Sequence, residues 1–256
     1  MKLPARANIL GVGVSAIDMA QALAILDDWI ARRDPHYVCV STVHGIMECQ
    51  KSPSLRRMFN ASGLTTPDGM PLVWISRLQG FGQVRRVYGP DLMLAMCEQS
   101  LAKGYRHYLY GGREGVAEEL KAKLEQRFPG LQVVGTHCPP FHPLTPEEDR
   151  EVVTQIRATR PDIVWVGMST PKQDIWSAEH VGLLDVPVVI GVGAAFDFLS
   201  GRKKQAPRWM RQSGLEWLFR LLQEPRRLWR RYLIYNPQFV AKFLAQWLGL
   251  RRYTLE

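Results

Sequence analysis

At 256 residues, with 46% hydrophobic and 22% charged side chains, the chain can bury a large core and is too apolar to be disordered. No run of 18 or more apolar residues is present, which excludes a membrane-spanning helix, and the apolar run after residues 1–8 is too short for a signal peptide, so the cytoplasm is the expected location. The net charge of +9 is uneven: residues 1–200 carry 20 Lys/Arg against 21 Asp/Glu, whereas residues 201–256 carry 13 against 3. Such a block points to a polyanionic partner, either nucleic acid or an anionic membrane surface. The four cysteines form no C-x-x-C pair and read as reduced thiols.

Residues 8–14 read as one short strand, and Asp18 as the cap of a helix through Met19, Ala22, Leu23, Leu26 and Ile30. Gly11-x-Gly13-x-x-Ala16 matches a dinucleotide fingerprint, but no acidic residue ends a second strand at the required distance, so the match is set aside. Residues 37–42 form an apolar run suited to a strand buried on both faces of a parallel sheet. Thr42 and His44 follow it. Two readings stand for them: ligand contacts at a strand's carboxyl end, or a helix cap from Thr42 and a local hydrogen bond from His44.

Thr65-Thr66-Pro67-Asp68-Gly69-Met70-Pro71 reads as a strand turning sharply into a helix. Pro67 biases Thr66 towards extended backbone, Gly69 permits angles that other residues resist, and Pro71 suits a helix start. A carboxylate at such a turn sits where α/β enzymes place their chemistry, and Asp68 as a plain N-cap is the alternative. Asp91 caps the next helix. Residues 105–110 form a strand running into Gly111-Gly112-Arg113-Glu114-Gly115, whose backbone N–H groups and helix dipole suit phosphate, although tight turns also use glycine for steric reasons.

Residues 131–135 form another strand, followed by a proline-rich loop through Cys138, Phe141 and His142 that shapes one wall of a pocket. His137, Cys138 and His142 lack any further ligand pattern, so no metal site is expected. Thr145-Pro146-Glu147-Glu148 opens a capped helix. Residues 162–167 and 188–193 are the last strands, and they lead into Lys172-Gln173 and into Gly193 and Asp197. This alternation gives an α/β fold with a mostly parallel, doubly wound sheet and helices on both faces. The polar clusters follow the strands and so gather on one edge, which is the strongest physical indication of a small-molecule site.

The tail differs in kind. Residues 214–222 read as a helix stopped near Pro225. Arg226, Arg227, Arg230 and Arg231 then alternate with Leu228, Trp229, Tyr232 and Leu233, and a further stripe runs from Phe239 to Leu248. Arginines on one face and tryptophans with leucines on the other describe a basic amphipathic helix at a membrane interface, with packing on the domain as the alternative. The expected division is a catalytic domain over 1–200 and a basic helical, membrane-attaching appendage over 201–256.

Several short motifs occur together and in order: Pro67-Asp68-Gly69, Arg86-Val87-Tyr88-Gly89-Pro90-Asp91, Gly111-Gly112 with Gly115, Pro171-Lys172-Gln173, Gly191-Val192-Gly193 with Phe196-Asp197-Phe198, Gly214-Leu215-Glu216-Trp217 and Arg230-Arg231-Tyr232-Leu233. In these the chain resembles the TagA/WecG/CpsF family of bacterial glycosyltransferases over roughly residues 9–240. The resemblance implies a Rossmann-like fold and inverting transfer of a hexose or N-acetylhexosamine from a UDP-sugar to a polyprenyl-diphosphate-linked saccharide acceptor. It also implies no metal and no other cofactor, a role in exopolysaccharide or cell-wall polymer synthesis, and peripheral attachment to the inner face of the cell membrane. By resemblance, Asp68 falls on the catalytic base. Gln173 and a Thr-x-Asn motif position the sugar, Asp197 with an aromatic near Phe141 holds the uridine, and appendage arginines meet the diphosphates.

One motif departs, because Thr-x-Asn reads here Thr42-Val43-His44. Histidine differs in size and titrates, which leaves the donor sugar open and makes His44 a rival base. Without metal, the departing UDP has to be stabilised by helix N-termini and cations. Gly111, Gly112, Lys172 and Gly193 are the candidates on the donor side, and Arg86, Arg227, Arg230 and Arg231 on the acceptor and diphosphate side. The alternative is a non-catalytic nucleotide-sugar or nucleic-acid binding protein with a basic tail. Nucleic-acid surfaces interleave basic residues with stacking aromatics, whereas here the two segregate by helical spacing, so no nucleic-acid partner is expected. Homo-oligomerisation is left open.

Overall fold

The computed structural model describes residues 3–140 and 142–255. Its first elements are β1 (Arg6–Ile9) and β2 (Val12–Ser15), an antiparallel hairpin rather than the single strand expected over 8–14. Leu10 and Gly11 have φ of 53° and 81°, the backbone of a two-residue turn whose twist matches its strands. The Asn8 side chain accepts from the Gly11 N–H at 2.9 Å and closes the turn. Gly11 is thus a hairpin residue and does not open a helix.

The chain continues through α1 (Met19–Arg32), β3 (His36–Ser41), α2 (Val43–Lys51), α3 (Pro53–Ala61), β4 (Leu64–Pro67), α4 (Met70–Leu78) and α5 (Gly89–Lys103). Then come β5 (Arg106–Gly111), α6 (Val116–Arg127), β6 (Gln132–His137), α7 (Pro146–Ala158), β7 (Ile163–Gly167), α8 (Lys172–His180), β8 (Val188–Gly191) and α9 (Ala195–Leu199). A capping box starts α7, with the Thr145 hydroxyl accepting from Glu148 N–H at 3.2 Å and the Glu148 carboxylate accepting from Thr145 N–H at 2.8 Å.

Six strands form one sheet in the order β4-β3-β8-β7-β5-β6. The pairings β3–β8, β8–β7, β7–β5 and β5–β6 are parallel. Ile163, Val164, Trp165, Val166, Val188, Val189 and Ile190 are fully buried, which is why these strands read as continuous apolar runs rather than alternating ones.

One polar arrangement inside this sheet is closed. Trp165 Nε1–H donates to His107 Nδ1 at 2.9 Å, leaving His107 Nε2–H to donate to Ser100 Oγ at 2.9 Å. Burial pushes the His107 pKa down to about 4, so the imidazole is a neutral core group.

Beyond α9 the chain is helical: α10 (Arg208–Gln212), α11 (Glu216–Gln223), α12 (Pro225–Trp229), a π-helical turn over Arg230–Ile234, and α13 (Tyr235–Trp247). Pro225 ends one helix and opens the next, where its missing N–H costs nothing. Leu228, Tyr232 and Phe239 are buried, while Trp229, Leu233, Val240, Leu244, Trp247 and Leu248 are exposed.

The chain divides into two compact units. One comprises Met19–Cys39 and Gly89–Lys203, and holds α1, α5 to α9 and the strands β5 to β8. The other comprises the hairpin segment up to Asp18, Val40–Tyr88, and the helices from Lys204 onwards.

Candidate functional site

In the unit built from the hairpin, Val40–Tyr88 and the C-terminal helices, Asp68 occupies the turn between β4 and α4. Its own N–H donates to the Thr66 carbonyl at 3.0 Å and to the Ser41 carbonyl at 2.9 Å, which latches the turn to the end of β3. Helix α4 takes Gly69 as its N-cap, which has no side chain to cap with, so the capping position falls one residue past Asp68. A Cβ on Gly69 would stand 3.4 Å from Thr42 Cα, so the turn lies directly against Thr42.

Arg86 fixes the carboxylate. Its Nε–H donates to the Asp68 carbonyl and its Nη2 lies 3.6 Å from Asp68 Oδ1. The same Nη2 donates to Glu216 Oε2 at 2.6 Å, and Nη1 donates to the Arg211 carbonyl at 3.0 Å. The Tyr88 hydroxyl donates to Glu216 Oε1 at 3.1 Å, and the Arg86 guanidinium stacks 4.0 Å above the Tyr88 ring. Burial works against the charge on Arg86, but the carboxylates of Asp68 and Glu216 outweigh it and raise its pKa. Burial, reinforced by Glu216 and Asp68, pushes the Tyr88 phenol up, so it stays a donor. The side chains of Asp68, Arg86 and Glu216 are only 14–16% exposed. Arg86 is therefore a bridge between two carboxylates, one of them on the strand-to-helix turn and the other on α11.

Thr42 is the N-cap residue of α2, but its hydroxyl makes no capping hydrogen bond. His44, one turn in, has Nδ1 3.7 Å from Glu48 Oε1 and stacks on the Tyr235 ring of α13 at 5.8 Å between centroids. Lys51 pairs with Glu48 at 3.0 Å and donates to the Tyr235 hydroxyl. Among the tail arginines, Arg227 pairs with Glu224, its Nε–H donating at 3.0 Å, and Arg230 is exposed over Trp229. Arg231 is half-buried, and its Nε meets no hydrogen-bond partner among the described residues. Burial, with Arg220 and Arg227 nearby, pulls its pKa down to about 10 despite opposing help from Tyr232.

The donor-side residues other than Thr42 belong to the other unit. Gly111 and Gly112 end β5 with φ of 112° and 83°, and a Cβ on Gly111 would stand 3.0 Å from the Gly167 backbone, so only glycine fits. The first turn of α6 already carries Glu118 and Glu119. Gln173 is buried, its Oε1 accepts from Ser169 N–H at 3.1 Å, and it fills the space that a Cβ would take at Gly191 and Gly193. Lys172 is exposed at the start of α8, and Asp197 pairs with Lys203 at 2.8 Å. Phe141 lies outside the described residues. His137 stacks on Tyr110, and His142 hydrogen-bonds the Pro143 carbonyl at 2.9 Å. Among the described residues no cluster of three or more His, Cys, Asp or Glu could hold a metal.

The profile described as the glycosyl transferase WecG/TagA/CpsF family matches residues 7–253. The chain belongs to that family. It is 30% identical over 197 residues to an N-acetylglucosaminyldiphosphoundecaprenol N-acetyl-beta-D-mannosaminyltransferase of Bacillus spizizenii, covering 77% of this chain and 74% of the relative. It is 31% identical over 176 residues to the Bacillus subtilis protein of the same name, covering 69% of this chain and 66% of that one.

Within this glycosyl transferase, sequence reasoning missed two acids. Glu216 appeared only as part of a motif. Its signal was available: it is one of just three acids among the last 56 residues, and a rare acid in a basic segment needs a cationic partner. Asp174 lies next to Gln173 on the buried face of α8 and is 1% exposed. Burial pushes its pKa up to about 7, with Thr170 and Cys39 offsetting part of the effect. Between about pH 4 and 7 the unfolded chain has lost this proton while the folded chain keeps it, so the group's contribution to stability falls as pH rises through that window. Asp174→Asn is expected to be more favourable to the fold at pH 8 than at pH 4 by about 4 kcal/mol, because the buried wild-type carboxyl is charged only at the higher pH while the amide's own unmet hydrogen bonds cost the same at both. Thermal unfolding at both pH values checks this.

Proposed function

We propose that this glycosyl transferase moves a hexose or N-acetylhexosamine from a UDP-sugar to a polyprenyl-diphosphate-linked saccharide, in cell-wall polymer or exopolysaccharide synthesis, with Asp68 as the base. The names of its relatives support the acceptor class. The observation that carries the assignment of Asp68 is its carboxylate, fixed at a strand-to-helix turn by Arg86, which Glu216 holds in turn.

In the proposed step the acceptor oxygen forms its bond to the anomeric carbon as the bond from that carbon to the diphosphate oxygen breaks. The hydroxyl proton passes to Asp68, and UDP leaves with the electron pair. A free aspartate, with a pKa of about 3.9, is a weak base towards an alcohol, so proton transfer is late and geometry matters more than basicity. Arg231, with Arg220 and Arg227 close by, forms a crowded cationic group that an acceptor or donor diphosphate would relieve. Gln173, Gly193, Asp197, Gly111, Gly112 and Lys172 are assigned to the donor, and His44, beside Thr42, to sugar selection. The reading is tested by incubating the chain with a panel of UDP-sugars and a short-chain polyprenyl-diphosphate saccharide. One donor should yield a longer lipid-linked product, and no product with any donor would refute the acceptor class.

Residues 201–256 are proposed as the appendage that holds the enzyme at the anionic inner surface of the membrane. No helix of the described residues is long and apolar enough to cross a membrane. Exposed Trp229, Leu233, Leu244 and Trp247 supply apolar contact, and the arginines supply charge. Full-length protein is expected to float with vesicles containing phosphatidylglycerol, and Trp229→Glu with Leu233→Glu to reduce the bound fraction severalfold. Equal flotation of both proteins would remove this face from the contact.

A further inference from the structure

We infer that the chain carries a phosphate-binding cavity separate from the Asp68 network, walled by α2, α3, α13 and the segment after α13. The cavity has a volume of about 220 Å³ and is lined by Gln50, Arg56, Lys242, Arg251, Arg252 and Tyr253. That is several times the roughly 30 Å³ that one water occupies in the liquid, which is room for a phosphate group and part of what it is attached to. Among the described residues four of the lining side chains are cations, Arg56 having an interaction of its own already, and none is a carboxylate. Cations drawn into one concavity repel one another, and the arrangement is relieved by a multivalent anion with several acceptor oxygens. The polar, cationic lining favours a phosphoryl group over an acyl chain.

The walls are built rather than loosely draped. Arg251 N–H donates to the Ala245 carbonyl at 3.1 Å, and Asn8 Nδ2 donates to the Tyr253 carbonyl at 2.6 Å. Gln246 ties α13 to the hairpin, its Oε1 accepting from Leu10 N–H at 2.9 Å and its Nε2 donating to the Asn8 carbonyl at 2.9 Å. Gln50 Nε2 donates to the Leu10 carbonyl at 2.8 Å from the other side. A Cβ on Gly11 would lie 3.2 Å from the Thr254 carbonyl, so the hairpin turn and the final segment meet closely. The Tyr253 hydroxyl is buried and meets no hydrogen-bond partner among the described residues. Arg251, Arg252 and Lys242, with Arg56, supply the charge that would hold a phosphate group.

The shared ligand chemistry is a phosphate group, whether of a soluble phosphate or of a phospholipid head. The test titrates full-length protein by calorimetry with inorganic phosphate against chloride at matched ionic strength and pH. Wild type is expected to bind phosphate saturably. Lys242→Gln with Arg252→Gln is expected to bind at least tenfold more weakly, while Arg150→Gln with Arg157→Gln, both exposed on α7, binds as wild type does. Should the first pair fail to fold, Arg251→Gln with Arg252→Gln replaces it, because both side chains are exposed. A short-chain phosphatidate that binds at least tenfold tighter than inorganic phosphate identifies a lipid head as the source, and equal or weaker binding identifies a soluble phosphate. Absence of saturable binding, or affinity unchanged in the Lys242 and Arg252 variant, overturns the site.

Discussion

Asp68→Asn is expected to lower kcat by about 10²–10⁴-fold while the affinity for the UDP-sugar stays within a few-fold of wild type. The substitution keeps the shape of the side chain and an acceptor oxygen towards Arg86, and removes the negative charge together with the ability to take a proton. Loss confined to kcat is the mark of a group that acts in the transition state rather than in binding. Asp68→Ala should lose more, because it also frees Arg86 on that side. His44→Asn, which recreates the Thr-x-Asn pattern, is expected to keep turnover within about tenfold and to alter the preference among UDP-sugars. Single-turnover transfer by the two variants separates the candidates. If His44→Asn collapses turnover and Asp68→Asn does not, the base is His44.

Glu216→Gln is expected to be among the most damaging single changes to the fold around Asp68. Glu216 accepts from Arg86 at 2.6 Å and from Tyr88 at 3.1 Å, with both carboxylate oxygens used in a largely buried setting. Removing one partner of a buried ion pair leaves a charge with less compensation, which costs about 3–5 kcal/mol. For a chain of this size that corresponds to a fall in Tm of roughly 10 °C. Arg86→Met should be at least as costly, since it leaves the carboxylates of Asp68 and Glu216 without the cation between them. The double variant should be less destabilised than the sum of the singles by about 1–3 kcal/mol, because the two residues form one unit. Additive losses would show that the bridge is not energetically coupled. The Glu216 variant should also lose kcat in proportion to the movement of Asp68, although Glu216 itself is assigned no contact with substrate.

The sheet was legible because its central strands are buried on both faces and carry unbroken apolar runs, such as Ile163, Val164, Trp165 and Val166. The turn at Asp68 was legible because Pro67 restrains the backbone before it and Pro71 suits the helix start after it, whereas Gly69 adopts φ of −78°, open to any residue. The hairpin over Arg6–Ser15 was not, since its turn is Leu10-Gly11 and a leucine with φ of 53° is a poor turn signal. The partner of Arg86 was also hidden. Arg86 reads as a phosphate ligand from its neighbours, and the carboxylate that occupies it lies 130 positions further along. Gly193 reads as a donor-side position, whereas the Gln173 side chain takes the space beside it and beside Gly191. Asp174 was passed over because a polar residue beside Lys172 and Gln173 reads as surface, and only the phase of α8 turns it inward.

The most direct measurement is the anomeric configuration of the sugar newly joined to the lipid-linked product, read by NMR coupling constants and compared with that of the UDP-sugar consumed. A single displacement, with Asp68 taking the proton from the acceptor hydroxyl, predicts the opposite configuration in the product, formed at a rate that collapses in Asp68→Asn. Product with the configuration of the donor would contradict it, because a single backside displacement inverts the anomeric carbon.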